Sequence, residues 1–544
     1  MQVMRPTPLS LIIAYARAGA SAFAWERFAA SGYDRMTNDA AALGVKGRLL
    51  KDRALAGSGP ERQRLYAEAA EAYRGAAALG ASTYPLINAA SLSLLSGEPG
   101  QAGDLARQVL HLVDEDPDEP ETPYYRAATR AEALLLLDRE EEARAAFAEG
   151  IALAPRAWED HASTLRQFAL ILAAQGRDAS WLDAHRPPCS LHFGGHMSFD
   201  PKVVPREHLD EKIGALLEEE RVGFGYGALA AGADIIIAEA LLKRGAELHA
   251  VLPGWVEAFA AVSVDPFGKT WRKRFEAVLG QAETIRPVRP LGVPPDAAMI
   301  GLADEVAMGT ALINARRLES SAVQLLVLDS AAAIPNGASA RSRDIWAEGG
   351  WRQRVLTAPR ETRHDPPPVA EAPEPLAVLA IGWADGQAGD PGIGLAQLPP
   401  FLAELPAPEI APYLTEDRLI IAWRSPGESA EAAIRLLGAA GTRLKLRIGG
   451  QYGLALTFRD PFGGGLRLAP AATAAAAAAL ASAPPGTACV TDDFAAALAA
   501  AGPRRPASEY IGELEPPDEG PPVGLYALKS YDQLFQPLGS DDGQ

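Results

Sequence analysis

The chain is poor in cysteine and in positive charge. Its 544 residues include two cysteines, Cys189 and Cys489, with no CxxC pair and no Cys/His cluster. This excludes a disulfide framework and a zinc site of recognisable spacing, and it favours a reducing, cytoplasmic location. The net charge of -18 would repel the phosphates of nucleic acid and of anionic membranes. We therefore expect no nucleic-acid partner.

Long hydrophobic runs are also scarce. The alanine-rich run over 471–483 ends before Pro484, and alanine gains little from entering hydrocarbon. We therefore expect a buried helix there and no membrane span. A hydrophobic content of 48% with 22% charged residues is typical of a packed protein, and the length favours about three domains.

Residues 1–185 have the pattern of an all-α domain, because apolar residues return every three or four positions. The segments that begin at Leu94 and Leu135 resemble each other, and their equivalent positions lie 41 residues apart. Without the acidic insert at 114–121, this spacing approaches the roughly 34 residues of a tetratricopeptide unit. The pattern predicts a TPR-like helical repeat whose concave face binds protein partners. A plain helical packing module is the alternative.

Residues 186–358 alternate short apolar runs with helical segments. This alternation predicts an α/β domain with a mostly parallel, doubly wound, Rossmann-like sheet. In such sheets the ligand crevice lies at the carboxyl ends of the strands. The stretch 223–253 gives the most information about function, because its pattern predicts a strand, a glycine-containing turn, a helix and a second strand.

The candidate ligand-binding residues lie on or beside these turns. They are Gly194, Gly195, His196, Gly225, Tyr226, Gly227, Gly232, Asp234 and Glu239. Glycines can offer backbone amides to an anion without a Cβ in the way. Asp234 is expected either to cap the helix or to accept a ribose hydroxyl, and His196 either to donate to phosphate or to be structural. Glu239 is either an acid of the site or a solvent-facing helix carboxylate.

The segment GYGALAAGADIIIAEALLKRGAELHAVLP, together with FGGH at 193–196, resembles the phosphate-binding region of the SLOG superfamily. This Rossmann-like group includes DNA-processing protein A and the lonely-guy enzymes. The resemblance implies a nucleotide or nucleotide-derived ligand. The enzymes of the group carry a PGGxGTxxE loop that this chain lacks, so ligand sensing is favoured over nucleotide N-glycosidase activity at Glu239. The order YPLINAA, RPP and GGHM is similar to bacterial TPR-type proteins related to the TRAF-binding region of mitogen-activated kinase kinase kinases, which implies signalling.

A proline-rich linker over 359–375 precedes a third domain over 376–532, and a tail follows at 533–544. The third domain has an α+β pattern and resembles the ferredoxin-like catalytic domain of class III adenylyl/guanylyl cyclases. Asp385 and Asp417 stand where that family has its metal-binding aspartates, which implies Mg²⁺. Ala469 and Thr473 stand where the family has the asparagine and arginine that stabilise the transition state. We therefore expect an inactive domain that can form a homodimer.

Together these patterns predict a multidomain regulatory protein. It would sense a nucleotide-like small molecule through the central domain and relay the signal through protein partners of the helical repeat. One alternative is an enzyme, either a nucleotide N-glycosidase or a weak adenylyl/guanylyl cyclase. A second alternative is an interaction scaffold without a ligand.

Overall fold

The computed structural model describes residues 6–80, 82–115, 122–197, 206–289, 292–329, 338–359, 375–383, 398–415, 418–440, 445–461, 463–503, 505–514 and 522–530. The described residues divide into two compact units, the first ending at Pro187 and the second beginning at Pro188. The first unit is helical, and the second contains two sheets.

The helices in the described part of the first unit are α1 (Leu9–Arg17), α2 (Ser21–Ala30), α3 (Ala40–Ala56), α4 (Gly59–Leu79), α5 (Thr83–Leu95), α6 (Pro99–Glu115), α7 (Pro123–Leu136), α8 (Glu140–Leu153) and α9 (Trp158–Ala174). From α1 to α8 each helix of the first unit packs against the next along the chain, and α9 packs against α7 and α5. Short 3-10 turns cover Tyr33–Arg35 and Ser180–His185.

The internal repeat predicted from the sequence is confirmed by the pairs α5/α6 and α7/α8. Ala102 and Ala143, which lie 41 residues apart, are both buried at the start of the second helix of each pair. The turns between the helices also correspond, because Gly97 and Asp138 both adopt positive φ, at 91° and 60°. Glycine enters this left-handed region without strain, whereas aspartate does so at a small cost.

The first sheet of the second unit has six strands in the order β4-β3-β2-β1-β5-β6, and every pairing is parallel. The strands are β1 (Cys189–Gly195), β2 (Val222–Gly227), β3 (Glu247–Leu252), β4 (Thr284–Pro287), β5 (Ala322–Leu328) and β6 (Arg352–Thr357). The helices between them are α10 (Arg206–Glu219), α11 (Ala233–Lys243), α12 (Val256–Ser263), α13 (Lys269–Leu279), α14 (Ala297–Arg317) and α15 (Ala338–Glu348). The expected doubly wound parallel sheet is confirmed.

The alternation of side chains along β1 explains how helices cover both faces of this sheet. Leu191 and Phe193 belong to the apolar core that includes α11. Their neighbours in the strand, Ser190 and His192, point the other way, and the Ser190 hydroxyl accepts a hydrogen bond from Asn314 of α14 at 3.0 Å. Since neighbouring residues of a strand point to opposite faces, α11 and α14 cover opposite faces of β1.

The second sheet is mixed, with seven strands in the order β14-β15-β13-β10-β7-β9-β8. The strands of this region are β7 (Pro375–Trp383), β8 (Ile410–Thr415), β9 (Arg418–Trp423), β10 (Leu446–Leu454), β11 (Thr457–Arg459), β12 (Leu466–Leu468), β13 (Thr487–Thr491), β14 (Ala507–Leu514) and β15 (Val523–Lys529). Its helices are α16 (Pro399–Leu402), α17 (Pro426–Ala440), α18 (Ala474–Ser482) and α19 (Asp492–Ala500). The four strands β10-β7-β9-β8 are antiparallel and have the order of a ferredoxin-like sheet.

The two sheets are parts of one compact unit, because α14 packs against α19. The Arg286 guanidinium of β4 lies 2.8 Å from the carboxylate of Asp492 and also pairs with Asp493, at the start of α19. Arg316 donates to the Ser508 carbonyl oxygen at 2.7 Å. Although the sequence separates the two domains by a proline-rich linker, α14 joins their cores.

Among the described residues, α14 alone is long and apolar enough for a membrane span by length and composition, and about half of it is buried inside the protein. Its apolar character follows from its place between the parallel sheet and α19. The alanine-rich run forms α18, which packs on β10 and β13.

Candidate ligand site at the carboxyl end of strand β1

The direction of strand order changes at β1. The chain places β2, β3 and β4 successively on one side of β1, and then β5 and β6 on the other. At such a switch point the loops after the two neighbouring strands separate and leave a crevice at their carboxyl ends. Gly194 and Gly195 end β1 at this point, and the first turn of α11 lies beside them.

Asp234 lies in the first turn of α11 and is 6% exposed. One of its carboxyl oxygens accepts a hydrogen bond from the Ala230 N–H at 3.2 Å. The other, Oδ1, meets no donor at normal hydrogen-bond geometry in the part of the chain that the structure describes, although the Gly195 N–H lies near enough to the carboxyl to favour its charged form. Burial raises the pKa of this carboxyl well above its usual range, and the charge of Asp304 raises it further, against the opposing effect of the Ala230 and Gly195 N–H groups. The cap of α11 is Gly232 and not Asp234.

Asp304 of α14 is the second carboxylate at this place, and its side chain is 24% exposed. The His192 Nε2 lies 3.0 Å from Asp304 Oδ1, and the amide nitrogen of Gln324 lies 3.0 Å from His192 Nδ1. Because the amide nitrogen of Gln324 can only donate, His192 Nδ1 is the acceptor. His192 Nε2 therefore carries the proton and donates to Asp304. His192 is fully buried, so it holds the Asp304 carboxylate in one orientation.

Sequence reasoning missed this pair. His192 and Gln324 are polar residues inside two otherwise apolar strands, and this was the available signal. Asp304 lies in a helix 112 positions from His192, so that no sequence spacing connects them.

The glycines of the predicted phosphate turn are explained by packing. A Cβ on Gly225 would lie 2.4 Å from the Leu241 side chain, and one on Gly227 would lie 2.6 Å from the Phe193 carbonyl oxygen. Gly225 pairs with β1 and β3 in the interior of the sheet. Gly225 and Gly227 thus allow close strand and helix packing, which accounts for glycine at both positions, and their role in a phosphate turn stays a prediction.

The other three predicted glycines lie at the switch point itself. A Cβ on Gly195 would meet the Ala233 Cβ at 2.5 Å, and Gly232 has a φ of 119°, which favours glycine. A Cβ on Gly194 would make ordinary van der Waals contacts, with Leu326 at 3.7 Å and Asp304 Oδ1 at 4.0 Å. Of the predicted glycines, Gly194 is the one next to Asp304.

Two N–H groups at the start of α11 are engaged by the protein itself. The Ala233 N–H, the first of the helix, donates to the His196 carbonyl oxygen at 3.3 Å, and the Ala231 N–H, just before the helix, donates to the Ser263 carbonyl oxygen at 2.9 Å. Gly232 also forms an isolated bridge with Met197. These contacts fix the turn that leads from β2 into α11.

The remaining predicted site residues have structural partners. The His196 side chain is buried, and its Nε2 donates to the Ala358 carbonyl oxygen at 2.6 Å. The Tyr226 ring stacks on His249, with 4.6 Å between centroids. Both carboxylate oxygens of Glu239 accept from Arg274 at 2.7 Å. The structure therefore places His196 and Tyr226 in packing roles, and it places Glu239 in an ion pair about one and a half helical turns after Asp234.

Asp385 and Asp417 lie outside the described residues. Thr473, at the position where the resembled family has a catalytic side chain, donates to the Pro470 carbonyl oxygen at 2.9 Å, and Ala469 precedes the 3-10 turn that leads to α18. The described part of the chain has no group of three His, Cys, Asp or Glu side chains that could hold a metal ion.

The residue after Asp304 points toward the second sheet. The Tyr452 hydroxyl of β10 donates to the Glu305 carboxylate at 3.2 Å, and Arg341 lies 3.6 Å from the same oxygen. Burial raises the pKa of Glu305. Two consecutive residues of α14 thus contact the candidate site and the mixed sheet.

The helical unit has a face where equivalent positions of α5, α7 and α9 meet. The Ser91 hydroxyl and the Gln167 amide both donate to Glu132 Oε1, at 2.6 and 3.0 Å. Seven residues before Ser91 and Glu132, on the same helix faces, stand Tyr84 and Tyr125, which are 64% and 42% exposed. Exposed tyrosines on a repeat face are typical of protein-binding surfaces.

Residues 9–93 match the profile of a family described as Tetratricopeptide Repeats-Sensor. No curated protein matches the chain in sequence. Among solved structures, adenylate cyclases from Trypanosoma brucei in their monomeric state are similar at 14% identity over 28% of this chain and 88% of theirs, with a TM-score of 0.24. The adenylyl cyclase CyaB from P. aeruginosa is similar at 10% identity over 28% and 93%, with a TM-score of 0.24. The guanylate cyclase domain of RhGC from Catenaria anguillulae in complex with GTP is similar at 12% identity over 30% and 99%, with a TM-score of 0.24. The helical region is therefore of the tetratricopeptide type.

Proposed function

We propose that this protein is a regulator that binds a nucleotide or a nucleotide-derived molecule at the carboxyl end of β1 and passes the signal to protein partners. The observation that carries the proposal is the buried Asp234 carboxyl at the switch point, whose Oδ1 meets no donor at normal hydrogen-bond geometry among the described residues, together with the Asp304 carboxylate that His192 orients. An unsatisfied buried polar atom costs about 1–3 kcal/mol, and a ligand that hydrogen-bonds to it would recover that cost. The SLOG resemblance of the sequence supports the same kind of ligand.

The transmission step is assigned to α14. Asp304 contributes to the site, and Glu305 is bonded to Tyr452 in the mixed sheet. A ligand that binds one orientation of α14 more tightly shifts the population of the conformations in which that orientation occurs. The mixed-sheet domain is the receiver in this scheme.

We propose that the mixed-sheet domain is a cyclase-like module that acts by packing or by forming a homodimer. Ala469 and Thr473 lack the amide and the guanidinium that would stabilise charge during phosphoryl transfer. Weak cyclase activity is the rival hypothesis. It predicts a cyclic nucleotide product from ATP or GTP with Mg²⁺, and this product would be lost in Asp385→Ala.

The protein partner is assigned to the helical repeat. The profile match and the exposed rings of Tyr84 and Tyr125 support this role. The signalling character of the TRAF-binding-like sequence order is consistent with it. The N-glycosidase alternative at Glu239 has no support from the structure, since both oxygens of that carboxylate are paired with Arg274.

The proposed function is tested by releasing bound small molecules from purified full-length protein and identifying them by mass spectrometry, together with thermal shifts against a nucleoside and nucleotide panel. We expect at least one compound to stabilise the wild type and to lose about tenfold in affinity for Asp304→Asn. The matched control is Asp104→Asn, which changes an exposed carboxylate on α6. No released ligand and no shift with any compound would refute the proposal.

A further inference from the structure

We infer that Gln324 and Gln353 are positioning residues of the candidate site, and that through them the edge strand β6 sets the direction in which Asp304 presents its carboxylate. The inference rests on the proposed function for the role of Asp304 in binding. The hydrogen-bond geometry behind it is tested without a ligand, so its failure and the failure of the proposed function are distinguishable.

Three polar side chains stand side by side on neighbouring parallel strands. The register pairs His192 of β1 with Gln324 of β5, and Gln324 with Gln353 of β6. His192 and Gln324 are fully buried, whereas Gln353 is half-buried at the edge of the sheet. Because paired residues of a parallel sheet point to the same face, the three side chains form one row on the face that α14 and α15 cover.

Hydrogen bonds join this row from the sheet edge to the site. Gln353 Nε2 donates to Gln324 Oε1 at 2.6 Å and to the Arg343 carbonyl oxygen of α15 at 2.9 Å. Gln324 Nε2 donates to His192 Nδ1 at 3.0 Å, and His192 Nε2 donates to Asp304 Oδ1 at 3.0 Å. These bonds connect α15 and β6 with Asp304.

The direction of the chain of hydrogen bonds is fixed at its outer end. The two ends of an amide side chain have nearly the same shape, so its partners decide which end is nitrogen and which is oxygen. The Arg343 carbonyl oxygen can only accept, so Gln353 must present its nitrogen there. The same nitrogen faces Gln324, which must therefore present its oxygen to Gln353 and its nitrogen to His192.

A second contact fixes the orientation of Gln324 independently. Gln324 Nε2 also donates to Ser342 Oγ at 2.9 Å, and this hydroxyl donates to Met308 Sδ at 3.4 Å. A thioether sulfur only accepts, so the Ser342 hydroxyl directs its proton to Met308 and accepts from Gln324. Ser342 and Met308 are both buried. Two groups that can only accept, a backbone carbonyl and a sulfur, thus require the same orientation of Gln324.

The consequence for the site is a defined donor to Asp304. Because its Nδ1 accepts, His192 carries its proton on Nε2 and donates to Asp304. The Trp346 ring of α15 stacks on His192, with 5.9 Å between centroids, and holds the imidazole plane. If Gln324 turned its amide over, the His192 proton would move to Nδ1 and Asp304 would lose its donor. A contact that moves β6 or α15 away from Gln353 would therefore change how Asp304 is held without touching it.

The first test is nuclear magnetic resonance on the full-length protein with ¹⁵N-labelled histidine rings, because long-range nitrogen–proton correlations show which ring nitrogen carries the proton. The chain has eight histidines, and the signals of His192 are those lost in His192→Gln. We expect His192 in the wild type to carry its proton on Nε2, in at least about tenfold excess over the Nδ1 form. A predominant Nδ1 form, or equal amounts of the two forms, would overturn the inference. This measurement does not depend on how a variant folds.

A variant at the outer end then tests whether the orientation is transmitted. Gln353→Glu at pH 8 places an ionised carboxylate at the edge strand, and a carboxylate only accepts. Gln324 should then turn its nitrogen toward position 353 and its oxygen toward His192, which shifts the ratio of the two His192 forms toward Nδ1 by at least about tenfold. The matched control, Gln281→Glu, adds the same charge at an exposed position after α13 and should leave the ratio unchanged. An unchanged ratio in Gln353→Glu would refute the transmission.

The link to binding is measured by calorimetry with adenosine, guanosine, cytidine, uridine and their 5′-diphosphates as probes. A probe that binds the wild type should lose about tenfold in affinity for Gln353→Glu, as for Asp304→Asn, and should keep its affinity for Gln281→Glu. Unchanged affinity in Gln353→Glu would overturn the positioning role. If no probe binds, the proposed function fails, and the His192 spectra still decide whether the hydrogen bonds have the stated direction.

Discussion

Replacing Gly309 by alanine should disrupt the packing of α14 against α19. An ideal Cβ at Gly309 would lie 1.8 Å from the carbonyl oxygen of Ala496 and 2.3 Å from its carbonyl carbon. These are backbone atoms of α19, so no side-chain rotation can relieve the overlap. Ordinary carbon–oxygen contacts are about 3.3 Å, and the two helices would have to separate by roughly 1.5 Å at this point.

The cost can be worked from this geometry. Overpacking a tight interface by one methyl group costs about 1–3 kcal/mol, with the upper part of that range fitting a clash against rigid backbone. Alanine is a better helix former than glycine, and in a helix interior this offsets the loss of stability by about 1 kcal/mol. We therefore expect Gly309→Ala to lower the free energy of unfolding of the second unit by about 2 kcal/mol.

The same helix offers a matched control. Gly301 also lies in α14, but an added Cβ there would have no neighbour within 4 Å. Gly301→Ala should therefore stabilise the second unit by about 0.5–1 kcal/mol. Both variants are compared with the wild type by urea denaturation, with intrinsic tryptophan fluorescence and circular dichroism as probes. Equal stability of Gly309→Ala and Gly301→Ala would refute the close packing of α14 on α19.

Three further predictions concern titratable groups. The pKa of Asp234 is raised in the folded protein, so the wild type should lose stability as the pH rises above about 4. The variant Asp234→Asn should not show this loss. Urea denaturation midpoints of both proteins at pH 4.5 and pH 7.5 measure the difference. Arg286→Met should lower the free energy of unfolding by about 3 kcal/mol at pH 8 and by less at pH 5.5. Burial raises the pKa of Asp493 to about 7, so at pH 5.5 the carboxyl that has lost its partner can take up a proton. Thermal unfolding at the two pH values measures this difference, and an equal loss of stability at both would contradict the prediction. Glu239→Gln should change the affinity for any ligand by less than twofold. It should lower the free energy of unfolding by less than about 1 kcal/mol, since the ion pair of Glu239 with Arg274 is partly exposed. A tenfold loss of affinity in calorimetry would show that Glu239 belongs to the ligand site.

The sequence predicted the parallel sheet because its signal is local. Strands such as β2 and β3 read as short apolar runs, and α11 has an apolar stretch that ends near Gly245, so each element could be found within a window of about ten residues. The strand β6 gives a weaker signal, because it contains Arg352 and Arg354 and lies at the edge of the sheet.

The site was predicted less well because its features are not local. Glycines at Gly225 and Gly227 have the same appearance in sequence whether they face a ligand or a neighbouring side chain, and the two cases differ in the position of Phe193 and Leu241. Likewise, Asp304 looks like an ordinary helix carboxylate until the sheet brings His192 to it. A pattern within one segment cannot contain a distance between two segments that are far apart in the chain.

In the proposed function, the adjacency of Asp304 and Glu305 constrains how a signal would leave the site. Consecutive residues of an α-helix point about 100° apart, so one helix can contact the parallel sheet and the mixed sheet at the same level. Because the helix is held by backbone hydrogen bonds, a rotation or shift that improves the contact of Asp304 with a ligand must also move Glu305 relative to Tyr452. The close approach at Gly309, one helical turn further on, resists a shift of α14 toward α19. The motion that remains is a rotation of α14 about its own axis or a slide along it, and either one would break the hydrogen bond between Tyr452 and Glu305.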